Sequence, residues 1–150
     1  MSILTPGLGL RAWQFGLRVD KSTGTLAATT ISLFTVTGRV MVTAIVGEVT
    51  TAITVANSYK LQHNPTTGTT SDLFAATDIG TTDTPVGSLL GFQGLVGDSL
   101  LQGPGKIATL KQPLLLTPGV IESVSAGTDG VINWMLTYIP WDSDGAVAAA

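Results

Sequence analysis

Cysteine is absent from this 150-residue chain, and with it go disulfides, zinc–thiolate sites and thiol catalysis. Charge is scarce as well: Asp, Glu, Lys and Arg make up 11% of the residues, against about 25% in ordinary soluble domains. The seven basic residues are scattered, and no basic patch interleaves with aromatics, which argues against a nucleic-acid partner. No uninterrupted apolar stretch reaches the roughly 20 residues of a membrane helix, so no membrane partner is expected. A basic segment followed by an apolar one is missing at the start, so a secretory signal is not expected either. What is abundant is apolar surface. Hydrophobic residues make up 44%, with a mean hydropathy of +0.42 and a net charge of −3. An apolar, charge-poor chain that spans no membrane is expected to bury surface against other protein chains.

The stretch around which the chain is organised is Ile31 to Ala56, which carries only two charges, Arg39 and Glu48. Its Val, Ile, Thr and Phe residues lose rotamer freedom in a helix and pack well on a pleated sheet. Ile31, Leu33, Thr35 and Thr37 are expected to point one way, with Ser32, Phe34 and Val36 on the other face. The alternation restarts after Gly38, with Val40, Val42, Ala44 and Val46 on one face. Gly47-Glu48 reads as a second interruption before Val49 to Val55. Two or three consecutive core strands follow from this.

Around that centre the chain divides into an extended arm at 1–12, a domain at 13–140 and a flexible tail at 141–150. In the arm, Pro6, Gly7 and Gly9 oppose regular structure while Ile3, Leu4, Leu8 and Leu10 are apolar. A terminal strand tucked into its own sandwich is the alternative. Trp13 to Val19 alternates as a strand, and Asp20 to Gly24 reads as a turn. Asn57 to His63 is another strand, with Tyr59, Leu61 and His63 on one face. Asn64 to Thr84 is a long polar excursion of the kind that often makes contacts. A hairpin over Gly94, a turn at Gln102 to Gly105 and a short strand at Lys106 to Leu110 are expected next, then an edge at Pro113 to Pro118. Val120 to Ser125 and Val131 to Ile139 read as a final hairpin. The sum is a single-domain all-β protein of about eight strands, a β-sandwich of jelly-roll-like layout.

Several short motifs resemble chemistry and fall short of it. Gly97-Asp98-Ser99-Leu100 matches the nucleophile block of GDSL-type esterases, but no histidine follows Ser99, and the only one, His63, lies upstream. Gly103-Pro104-Gly105-Lys106 lacks the distal glycine and the hydroxyl residue of a phosphate loop. Asp142-Ser143-Asp144-Gly145 lacks the bidentate glutamate of a calcium loop. Asp72, Asp78 and Asp83 are expected to be solvated turn carboxylates rather than cation ligands. No catalytic residue, metal or cofactor is therefore expected.

Two stretches, Ser32 to Ile53 and Gly130 to Asp142, resemble small structural proteins of tailed bacteriophages. The resemblance lies in Leu33 to Val40, in Gly47 to Ile53, and in Trp134, Leu136, Tyr138 and Pro140 of the last strand. It implies a head decoration (cement) protein on the outer capsid surface, assembled in the host cytoplasm, whose partners are the major capsid protein and itself. A trimer is favoured, with a dimer as the alternative. Contacts with capsid protein or a neighbouring protomer are expected at Ile3, Leu4, Leu8, Leu10, Trp13 and Trp141. A second contact surface is expected in the excursion, at Asn64, Asp72, Leu73, Phe74, Asp78 and Asp83. The alternative function is a head- or tail-fibre module that binds host glycans through that excursion.

Overall fold

The structure is a computed structural model that describes residues 16–95, 97–109 and 112–150. The expected arm, with Ile3, Leu4, Leu8 and Leu10, and the strand start at Trp13 lie outside those residues. Among the described residues there are twelve strands and no helix. They are β1 (Leu17–Thr25), β2 (Thr30–Thr37), β3 (Val40–Thr51), β4 (Ser58–Pro65), β5 (Ser71–Asp72) and β6 (Thr77–Asp78). The second half supplies β7 (Ser88–Gly91), β8 (Leu101–Pro104), β9 (Leu114–Leu116), β10 (Gly119–Val124), β11 (Val131–Pro140) and β12 (Ala146–Ala149).

These strands form two antiparallel sheets packed as a β-sandwich. The first runs β1-β11-β3-β7-β8, with β9 beside β7 on the same edge of β3. The second runs β12-β2-β10-β4-β5, with β6 also on β4. The chain changes sheet at every step from β1 to β4 and from β9 to β12, while β4 to β6 stay in the second sheet and β7 to β9 in the first. One set of pairings is nested, β1 with β11, β2 with β10, β3 with β7, and β4 with β5 and β6, while β11 also pairs along β3 and β10 along β4. That arrangement corrects the expected final hairpin. β10 and β11 do not pair, because the turn between them carries the chain from one sheet to the other.

Bulges set which side chains face inward, since one extra residue reverses the alternation beyond it. In β2, Ile121 pairs with Phe34 and Glu122 with Ser32, which leaves Leu33 as the extra residue. Leu33 and Phe34 are consequently both fully buried, although strict alternation puts them on opposite faces. In β3, Thr137 pairs with Ala44 and Tyr138 with Val42, so Thr43 is extra. Val40 and Val42 point inward before it and Ile45, Gly47 and Val49 after it, while Ala44 and Val46 turn outward.

Gly47 does not interrupt β3. It lies directly opposite Trp134, and a Cβ there would come within 3.1 Å of the indole ring and 3.0 Å of Ile132. The glycine is the space the indole occupies. Trp134, wholly buried, stacks on Tyr59 of the other sheet at 6.3 Å and 5°. Its Nε1 donates to Tyr59 Oη at 2.9 Å, and that hydroxyl shares a 2.7 Å hydrogen bond with Ser123 Oγ. Burial raises the phenol's pKa above its ordinary value, so the hydroxyl stays protonated. Phe74 continues the aromatic layer, 6.4 Å from Tyr59 and 5.0 Å from Phe92.

Other expectations also yield to pairing. The Asp20 to Gly24 turn is part of β1, held against β11 through Ser22 and resumed after a bulge at Thr25. The Gln102 to Gly105 turn is mostly β8. No strand forms over Lys106 to Ala108, where the chain folds back over Gly103. The tail is not free: Ala146–Ala149 pairs with β2 and buries Val147. Its last carbonyl accepts a hydrogen bond from Lys21 Nζ of β1, which ties the edge of one sheet to the edge of the other.

Filling the space at Gly47 overpacks the contact beneath the indole. Gly47→Ala is expected to cost about 1–3 kcal/mol, measured by urea unfolding, with a changed near-ultraviolet signal from Trp134. An alanine variant as stable as the parent would show that β3 and the indole separate freely.

Candidate interaction surface

The expected contact residues fall into different environments. Trp141, just after β11, is 55% exposed. Its amide donates to Arg39 O at 2.9 Å. Asp142 accepts from the Arg39 backbone amide at 2.9 Å and from Nη2 of the same side chain at 2.8 Å. That guanidinium, through hydrogen bonds and charge, holds the Asp142 carboxyl below the usual carboxylate range. The carboxylate thus pins the turn from β11 to β12 against the turn between β2 and β3, where Gly38 takes the left-handed conformation (φ +59°).

The 64–84 excursion folds back on its own sandwich. Phe74 and Ile79 are 1% exposed, which removes Phe74 from the outer surface where contact was expected. Leu73 is half-buried against the core. The apolar island expected within a surface loop is therefore core, anchored by the pairing of β5 and β6 on β4. Asp72 pairs with Lys60 at 2.7 Å. Asp78 accepts from the backbone amides of Asn57, Gly80 and Thr81. The Thr81 side chain is the main influence lowering its pKa. Asn64 donates to Glu122 and accepts from Thr70, and Asp83 is exposed. Among the described residues no three His, Asp or Glu side chains stand close enough to share a metal ion.

Ser99 forms an isolated parallel bridge with Ala75. The His63 ring is buried on β4 and makes no hydrogen bond to Ser99, so it is not placed as its base. Along the edge strand β8 lies an open depression of about 550 Å³ walled by Leu101, Pro104, Lys106 and Ile107. Among the described residues one charged side chain, Lys106, borders it, with no converging set of polar groups.

The strongest surface contrast is between the outer faces of the two sheets. On the second sheet that face presents Thr35, Ser32, Glu122, Gln62, Lys60 and Asn64, with Val120 and Val124 of β10 among them. On the first sheet, outward positions of β3, β11, β7 and β9 carry Met41, Val46, Met135, Ile139, Leu89 and Leu115. Leu115, Met41 and Ile139 stand directly opposite one another across three strands. Leu115 is 49% and Ile139 41% exposed. Leu17, at the start of β1, is 49% exposed and stands opposite the inward-facing Tyr138, on the core side of the sheet edge rather than on the face of Ile139 and Leu115. This face went unrecognised in the sequence because the bulge at Thr43 moves Val46 outward. The visible signal was Met135, at an outward position of the last strand. Comparisons with known protein families, characterised proteins and solved structures found no match.

His63 gives this surface-poor chemistry one titratable element. Burial lowers its pKa, opposed by the backbone of Thr117 and Val120 and by the charge of Glu122. A base depressed in the folded state contributes stability that is present above about pH 6.5 and lost as pH falls through the folded value. Thermal midpoints of the parent protein should drop on acidification through this window. The drop should be smaller in His63→Leu, well before the carboxylates titrate. Parallel curves for the two proteins would remove His63 as the cause.

Proposed function

We propose that this chain is a virion structural protein of a tailed bacteriophage, a non-enzymatic head decoration protein that associates with itself and cements the capsid lattice from its outer surface. The observation that carries the reading is the outward row of Leu115, Met41 and Ile139 across the first sheet, on a chain with only 11% charged residues. β1 starts at this end of the sheet, and the apolar residues Ile3, Leu4, Leu8, Leu10 and Trp13 precede it in the sequence. We also read the nested strand order as a jelly roll, an architecture of viral capsid and lectin domains.

The mechanism is burial of side chains that the domain leaves without cover. One Leu-sized side chain contributes roughly 1.5–3 kcal/mol when buried. Five such residues supply roughly 8–15 kcal/mol before ordering costs. Association into an oligomer multiplies weak contacts on a lattice through effective concentration. No cofactor or metal enters this mechanism.

Purified protein mixed with emptied, expanded capsids is expected to co-sediment with them. Deleting Met1 to Leu10 should leave the melting temperature nearly unchanged and abolish that binding. A truncated protein that unfolds would make the segment part of the core, and one that still decorates capsids would place adhesion elsewhere. Binding to a glycan array with none to capsids would transfer the reading to a host-receptor module.

A further inference from the structure

We infer that the small cavity between the end of β10 and the crossing from β1 to β2 is a binding site for one water molecule, which takes the surplus hydrogen of the Trp134–Tyr59–Ser123 chain. The inference concerns the core and does not rest on the capsid reading.

Hydrogens outnumber acceptors in that chain. The Trp134 indole has one to give, and so has each hydroxyl of Tyr59 and Ser123. Only two hydrogen bonds join the three groups, Trp134 Nε1 to Tyr59 Oη at 2.9 Å and Tyr59 Oη with Ser123 Oγ at 2.7 Å. One hydroxyl hydrogen is left over whichever way the second bond points. Among the described residues neither hydroxyl has a further hydrogen-bond partner. Tyr59 is wholly buried and Ser123 is 1% exposed, and a buried donor without an acceptor is costly.

Ser123 lines a cavity of about 30 Å³, together with Thr23, Leu26, Ala27, Ile31 and Ser125. That is above the roughly 10–15 Å³ a buried water requires. Tyr59 is not part of the wall, so Tyr59 donates to Ser123 and the Ser123 hydrogen points into the cavity. Two other hydroxyls complete what a water needs. Thr23 Oγ1 donates to Gly24 O at 2.7 Å and accepts from the Ile132 amide at 3.1 Å. Ser125 Oγ accepts from Asn57 Nδ2 at 3.0 Å, and its own hydrogen is shared between Asn57 Oδ1 and Gly127 O. A hydroxyl oxygen carries two lone pairs, so each of these keeps one free. The cavity therefore offers one hydrogen and two lone pairs, the complement of a molecule that accepts once and donates twice. Water is that molecule. A sodium or ammonium ion accepts no hydrogen and leaves that of Ser123 unpaired. Thr25 and Thr29, also in the wall, are exposed, which gives the site a route of exchange with solvent.

High-resolution crystallography of the full chain tests the site directly. The expected result is one density peak within hydrogen-bonding distance of Ser123 Oγ and of Thr23 Oγ1 or Ser125 Oγ. No peak there, or a Ser123 hydroxyl turned to a protein acceptor, would overturn the inference. Ser123→Thr gives a second reading, decided by its sign, because it keeps the hydroxyl and adds a methyl group to the cavity. Where water is bound, the methyl expels it and the thermal midpoint falls by about 2–4 °C. Where the cavity is dry, the same methyl fills a void and the midpoint rises. A midpoint that rises or does not move would show that no water serves as the acceptor. If the variant does not fold, the density in the parent protein decides alone.

Discussion

The contact between Trp134 and Tyr59 joins the two layers, and much of the rest is arranged to permit it. An indole N–H and a phenol hydroxyl cannot both enter a dry core unpartnered without a cost of about 1–3 kcal/mol each. Here each is part of the other's solution. The indole donates to the phenol oxygen, and that oxygen shares a hydrogen bond with Ser123 on the next strand of the second sheet. The stacked rings bury a large apolar area, and the polar tips fix their relative position. Gly47 completes the arrangement by withholding a side chain where the indole lies flat against β3. A glycine inside a strand normally weakens it, but an aromatic on the neighbouring strand covers the gap.

The sequence made the materials of this fold legible more than their connections. β-branched density between Ile31 and Ala56 identified strands, Gly38 marked the turn between the first two, and Tyr59, Leu61 and His63 emerged as one buried face of β4. Bulges were invisible because nothing in the local residue types announces them. Leu33 and Thr43 each look like ordinary members of an alternating run, yet each reverses the faces beyond it. Pairing was equally hidden. A turn rich in Gly and Asp between β10 and β11 reads the same whether it closes a hairpin or crosses between sheets.

Surface character was harder to read than core character. The polar composition of 64–84 suggested a solvent-facing loop, but Phe74 and Ile79 draw it into the sandwich while its carboxylates secure its own turns. The alanines of 146–149 lack the bulk usually associated with a strand, yet β2 has an open edge and backbone pairing requires no side chain. The apolar outer face of the first sheet, by contrast, is produced by registration alone, since its residues come from four separate strands.

The nested pairing also constrains when this protein can come into being. Among the described residues β1 pairs with β11 alone, and β2 is flanked by β10 and β12. During synthesis the first half of the chain therefore emerges with no strand to pair its outermost members, and β-branched, charge-poor segments such as β2 and β3 wait in the open. Loop closure over most of the chain length must precede the contacts that reward it, which makes such folding slow. Until β10, β11 and β12 have emerged the sandwich cannot shut, and the partly made chain passes through an aggregation-prone state.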